Sequence, residues 1–212
     1  MSASISLKAL HTCFNTPLDG ANLRSVFLLL TRLHYSEPKN YGDLEAKLGC
    51  FKYSDNEADS TIAVDLSQVY DLTKGSVRPA VFVGMDSGLT FKKTDVAHKS
   101  GQAEDNSFSD TSHIAVMGLN IIHVASTMDE ALLLAESSAS FYIGIREAIM
   151  DRLGLLSFVP IAITAPHMME ASPERYFRVD TTFSLSYNYV VRVNIESHRL
   201  KKFAMELNFD ES

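Results

Sequence analysis

From Asn22 the chain reads LRSVFLLLTRLHY, with apolar side chains at Leu23, Val26, Phe27, Leu30 and Leu33. That i, i+3, i+4 spacing predicts a helix with one buried face, ended by Pro38. Ahead of it, residues 1–20 carry sparse apolar positions without a period, together with Pro17 and the turn-prone Asp19-Gly20, and read as an arm. Residues 36–60 are polar and include the acidic run from Ser54 to Asp59; a short helix around Asp43 to Leu48 is expected, with loop elsewhere.

The pattern then changes to strands. Thr61 to Leu66 is the first strand candidate and Pro79 to Gly84 the second, proline being tolerated as the first residue of a strand. The stretch 85–111 is rich in Gly, Ser, Asp and Lys and poor in apolar residues, so it reads as a long loop, and loops of that length tend to be functional or disordered. Residues 112–126 form a long strand with apolar positions of both parities, such as Ala115, Met117, Leu119 and Ile121 against Ile114, Val116, Ile122 and Val124. Such a strand is expected to be buried on both faces.

Thr127-Met128-Asp129-Glu130 matches a capping box, in which a Thr hydroxyl and a Glu carboxylate three residues on satisfy orphan amides at a helix start. One helix is predicted from there to Gly154, about 40 Å long at 1.5 Å per residue, with Met128, Leu132, Ala135, Ala139, Tyr142, Ile149 and Leu153 along one stripe. A short strand over Leu156 to Thr164 and a loop over 165–173 follow. Then every odd position from Phe177 to Ile195 is apolar or Thr, while the even ones are mostly polar. A strand of that length spans roughly 60 Å, against a radius of gyration of about 17 Å for a compact domain of this size, so it must bend or leave the domain. The last residues repeat the alternation at Phe203, Met205, Leu207 and Phe209, after the basic Arg199, Lys201 and Lys202. They can form an edge strand of the chain's own sheet or add a strand to a neighbour's.

These patterns predict an α/β fold of the α+β type: a mainly antiparallel or mixed sheet, one long helix packed on one face, N-terminal helices, and a projecting loop and arms. Phe183, Leu185, Tyr187, Tyr189 and Val191 are expected to meet Leu132, Ala135, Ala139 and Tyr142. The 212 residues, 46% hydrophobic and 21% charged, suit a soluble single domain over 1–212 with an N-terminal arm (1–20), a long loop (85–111) and a C-terminal arm (197–212). The net charge of −7 argues against a protein that grips nucleic acid by neutralising many phosphates. No run reaches the roughly 18 apolar residues of a membrane span, and the first residues lack the order of a signal peptide. Cys13 and Cys50 are the only cysteines, which is too few for a disulfide framework or a four-cysteine zinc site.

Candidate chemistry is sparse. Met85-Asp86-Ser87-Gly88 resembles the Asp-Ser-Gly string of aspartic proteases, whose two carboxylates share a proton, but one copy is present. The seven histidines form no HExxH or HxH spacing, and His113 and His123 lie about 33 Å apart along one strand, too far to share a metal. Phosphate-binding glycine motifs and GxSxG are absent, so no cofactor is expected. Lys92 and Lys93 lie among carboxylates in the 85–111 stretch, and Met168 and Met169 beside Pro166 suit either an adaptable contact patch or a loop anchor.

Taken in order, several elements resemble the neck and tail-completion proteins of tailed bacteriophages. They are Val77-Arg78-Pro79-Ala80 entering a strand, a long variable hairpin loop, a strand ending His123-Val124-Ala125-Ser126, the helix of Asp129 to Ile143, and a final strand over Phe183 to Val193. The resemblance covers roughly residues 60–195. It implies a structural virion protein and not an enzyme: a tail terminator or head-tail connector, assembled in the host cytoplasm, forming a ring of six or twelve copies around the DNA channel. Its partners would be itself, adjacent connector proteins, and tail tube or sheath proteins, with DNA as passing, non-specific cargo and no membrane. Another ring-forming tube or baseplate component, or a hydrolase using Asp86, are the alternatives. The candidate interface or lumen positions are Lys92, Lys93, Met168, Met169, Phe203, Met205, Leu207 and Phe209.

Overall fold

The computed structural model describes residues 20–37, 50–67, 79–85, 88, 90–92, 98–102, 108–169 and 175–194. Of the expected N-terminal arm over 1–20 all but the helical Gly20 lie outside the described residues, as do the C-terminal arm at 197–212, the short helix near Asp43, and Asp86. Contacts divide the chain into two compact units, residues 1–90 with 116–187, and residues 91–115 with 188–212.

The described elements are helix α1 (Gly20–Ser36), strands β1 (Ala63–Leu66), β2 (Ala80–Met85), β3 (Thr90–Phe91), β4 (His98–Gln102) and β5 (Phe108–Ala125), helices α2 (Met128–Gly144) and α3 (Arg146–Leu153), and strands β6 (Leu155–Ile163), β7 (His167–Met168) and β8 (Phe177–Asn194). The main path of the sheet is β1-β2-β5-β8-β6. Strands β1 and β2 are parallel, whereas β2 with β5 and β6 with β8 are antiparallel, so the sheet is mixed and the fold is α+β.

In the first unit the core lies between this sheet and the helices. α1 buries Leu23, Val26, Phe27 and Leu30, the stripe its spacing predicts, while Leu33 is only half-buried. Four rings lock the layers: Phe158 of β6 stacks on Phe183 of β8 at 5.0 Å and on Phe27 of α1 at 5.5 Å, and Tyr142 of α2 meets Phe183 at 5.5 Å. The expected contact between the β8 stripe and the α2 stripe therefore forms at Phe183. Tyr189 departs from it, since its ring sits 5.4 Å from Phe91, within the second unit.

The single helix expected over 128–154 is two. α2 ends at Gly144, Ile145 takes φ −98 and ψ 8, and α3 starts at Arg146. Glycine is among the weakest helix formers and Ile is β-branched, so this pair is where a long helix yields most easily. α3 ends as predicted at Gly154, whose φ of 63 and ψ of 33 are the left-handed values that favour glycine. At the start of α2, the amide of Glu130 donates to Thr127 Oγ1 at 3.2 Å as a capping box requires, but the Glu130 carboxylate accepts from Ser126 Oγ at 2.9 Å.

β5 is buried on both faces only in part. Ala115, Met117, Leu119, Ile121 and His123 are buried on one side; on the other, Asn120 and Val124 are buried, while Ile114, Val116, Gly118 and Ile122 are half-buried. That second face is covered locally where Met169 and Tyr176 pack against Ala80, Phe82 and Val124. The stretch 85–111 carries β3 and β4, and β4 pairs antiparallel with the start of β5, from His98 opposite Ser112 to Gln102 opposite Ser109. Backbone ladders need no apolar alternation, so the hydrophobic pattern gave no sign of this hairpin.

Candidate functional site

β6 is the last strand on the path of the sheet, so its outer side has no strand partner among the described residues. Its sequence, LLSFVPIAI, contains no charge. Leu155 and Phe158 are buried, but Leu156, Val159, Ile161 and Ile163 are 47%, 43%, 62% and 41% exposed. The register explains why both faces of the strand are apolar. Val159 lies opposite Ser184, and Ile163 opposite the buried Thr181, so the two side chains share faces with residues on opposite sides of β8. Pro160, opposite Phe183, lacks an N–H and is tolerated because the strand is at an edge. Register shifts at Leu155/Ser157 and Pro160/Ala162 mark irregularities on either side of Phe158. An uncharged edge of this kind is a template for pairing with another strand, which natural edges usually blunt with Lys.

A buried polar network forms the other unusual cluster. His123 Nδ1 lies 3.2 Å from the Val179 carbonyl and Nε2 2.9 Å from Ser138 Oγ. A carbonyl only accepts, so Nδ1 carries the proton, Nε2 is the acceptor of the neutral ring, and Ser138 donates to it. Ser138 thereby commits its one proton, and the 2.9 Å contact with Tyr35 has Tyr35 donating, shared with the Leu134 carbonyl at 3.0 Å. One residue earlier on α2, Ser137 Oγ lies 2.8 Å from His34 Nε2, and the His34 ring stacks on Phe141 at 4.5 Å. Further along, the Tyr142 hydroxyl donates to the Phe27 carbonyl at 3.0 Å and lies 2.7 Å from Thr31 Oγ1.

The His123–Ser138 pair has the separation of a base and a hydroxyl nucleophile. Its surroundings oppose that use. His123 is fully buried and Ser138 is 1% exposed, so no substrate atom reaches the hydroxyl. Burial lowers His123 to about 4, partly offset by the Val179 carbonyl and Asp180. His34 is lowered to about 3 by burial and, secondarily, by His123. Burial likewise raises the Tyr142 hydroxyl well above its ordinary value. Both rings are held neutral, and the network fastens α1 and α2 to the sheet.

Of the candidate positions read from the sequence, Lys92, Met168 and Met169 are among the described residues. Lys92 is exposed and belongs to the second unit, where its amide donates to the Ile114 carbonyl at 2.9 Å. Met168 is 53% exposed on β7, opposite Phe177, while Met169 is half-buried against Ala80, Phe82 and Val124, the loop anchor of the two readings. Lys93, Phe203, Met205, Leu207 and Phe209 lie outside the described residues. The β6 edge was not singled out from the sequence, although Pro160 within an apolar strand was a sign of an edge.

Among the described residues, no group of three or more His, Cys, Asp and Glu stands close enough to hold a metal, and no helix is long and apolar enough to cross a membrane. No protein-family model matches the chain, and a search of curated proteins finds no match.

Proposed function

We propose that this chain is a structural subunit of a tailed-bacteriophage neck, a tail terminator or head-tail connector that assembles with copies of itself into a ring around the DNA channel and joins tail to head. The observation that carries the reading is the uncharged β6 edge, with Ile161 62% exposed. A lone globule has no use for such an edge, whereas a subunit with neighbours on both sides gains from covering it.

Two further features support the reading. Along the chain a strand (β2), the long 85–111 stretch, the strand ending at Ala125, a capped helix and a last long strand follow one another, the order on which the resemblance rests. The net charge of −7 suits a channel wall that repels phosphate and so lets DNA slide. Light scattering coupled to size-exclusion chromatography, followed by negative-stain imaging, tests the proposal. Closed rings of six or twelve copies that cap tail tubes or bind connectors are the expected result. A chain that stays monomeric over the whole accessible concentration range, and binds neither, overturns it.

A further inference from the structure

The β6 edge has a complement in this same sequence. The stretch from Phe203 to Phe209, outside the described residues, alternates Phe203, Met205, Leu207 and Phe209 with Ala204, Glu206 and Asn208. We infer that this segment of one copy adds as a strand to the β6 edge of the next copy, linking neighbours around the assembly. The inference rests on the ring reading and deepens it by naming donor and acceptor.

Length, chemistry and geometry agree. At about 3.3 Å per residue the segment from Phe203 to Phe209 covers roughly 23 Å, and the exposed stretch from Leu156 to Ile163 about 26 Å. The β6 stretch offers apolar surface and backbone groups without a single charge, so an incoming strand meets no repulsion. Period-2 alternation lets that strand turn its apolar side chains to one face beside β6 and hold Lys202, Glu206 and Asp210 in water on the other. Residues 195–202 give up to about 28 Å of reach beyond the end of β8.

A second β6 fits less well as the occupant. It would bring its own Pro160 and its own register shift at Pro160/Ala162 to the same place, so two interrupted ladders would meet. Such a pair is also self-complementary and stops at a dimer, whereas donor-to-acceptor addition is head-to-tail and closes into a ring. Addition to the chain's own β6 is the remaining arrangement, and a chain carrying both cysteines reports it.

Disulfide trapping in full-length chain tests the inference. Two chains are made on a Cys13→Ser, Cys50→Ser background, one carrying Ile161→Cys and one carrying a cysteine at Phe203, Met205, Leu207 or Phe209 in turn. They are mixed, oxidised, and read on non-reducing gels with mass spectrometry of the linked peptides. At least one of the four pairs should trap a heterodimer about tenfold more efficiently than Ser140→Cys, an exposed control on α2, paired with the same donors. A synthetic peptide of residues 199–212 should suppress the trap, and the same peptide with Met205→Asp and Leu207→Asp should not. Because Ile161 is exposed, its substitution leaves the fold intact, which circular dichroism checks.

Three results overturn the inference. One is trapping no better than the control; another is Ile161→Cys chains linking to each other as efficiently, which means that two β6 edges meet. The third is a chain with both cysteines closing internally as a monomer, which means that the segment folds back on itself. Rings seen by light scattering without the trap refute the strand addition alone. A chain monomeric by light scattering refutes the ring reading and the strand addition with it.

Discussion

His123 of β5 and Ser138 of α2, fifteen positions apart in sequence, meet at 2.9 Å in the interior, with Ser138 as the donor. Ser138 also accepts from Tyr35 of α1, so a single hydroxyl joins the sheet to both helices. Ser138→Ala leaves the buried His123 Nε2 without its donor, while the Tyr35 phenol keeps the Leu134 carbonyl, and should cost about 2 kcal/mol, read as a lower urea midpoint at unchanged slope. Ser140→Ala, at an exposed position of the same helix, should leave the midpoint within error.

Acid should unfold the chain through its two buried imidazoles. Both His34 and His123 have folded values below the ordinary 6.5, at about 3 and about 4. Between pH 6.5 and about 4 the unfolded chain therefore binds protons that the folded chain refuses, and stability falls as pH falls. Each histidine contributes at most about 1.4 kcal/mol per pH unit, reached inside that window and less at its ends, and its contribution is complete only well above pH 6.5. Urea midpoints between pH 7.5 and 4.5 should decline steeply for the parent chain and less steeply for His123→Gln. An equal decline in both would show that other groups govern the acid limb.

Leu185 and Ser186 are neighbours on β8, and their alternation suggests one core residue and one tolerant surface residue. Leu185 is fully buried, and Leu185→Ala should cost about 2 to 5 kcal/mol, while Leu185→Asp should abolish the cooperative transition. Ser186 is also buried, at 7% exposure, with its hydroxyl 2.6 Å from Ser157 Oγ on β6. Ser186→Asp should therefore destabilise by at least about 2 kcal/mol, where the alternation alone anticipates no effect. The exposed Asn188 gives the contrast, and Asn188→Asp should be silent.

The ends of the α2–α3 pair are set by single residues. Thr127→Ala removes the acceptor for the Glu130 amide and should cost about 1 kcal/mol. Gly154→Ala forces a side chain into the left-handed region and should cost a similar amount, although no atom stands within 4 Å of the added carbon. Thermal melts of the two single variants and the double variant should show additive losses, because the sites lie at opposite ends of the pair.

The sequence by itself determined every element whose local pattern is strong: the buried stripe of α1, the strands β1, β2, β6 and β8, the cap at Thr127 and the glycine stop at Gly154. Those features are set by side-chain periodicity and by hydrogen bonds between residues a few positions apart, so they are written in short stretches of chain. Only the tertiary structure decided which strand lies at the edge, that Ser186 is covered by its cross-strand partner Ser157, and that His34, Tyr35, His123, Ser137 and Ser138 share one interior network. Each depends on which distant segment lies alongside, and no local period records the identity of a neighbour. The same reason hid the β4–β5 hairpin, whose ladder is held by backbone groups that every residue carries.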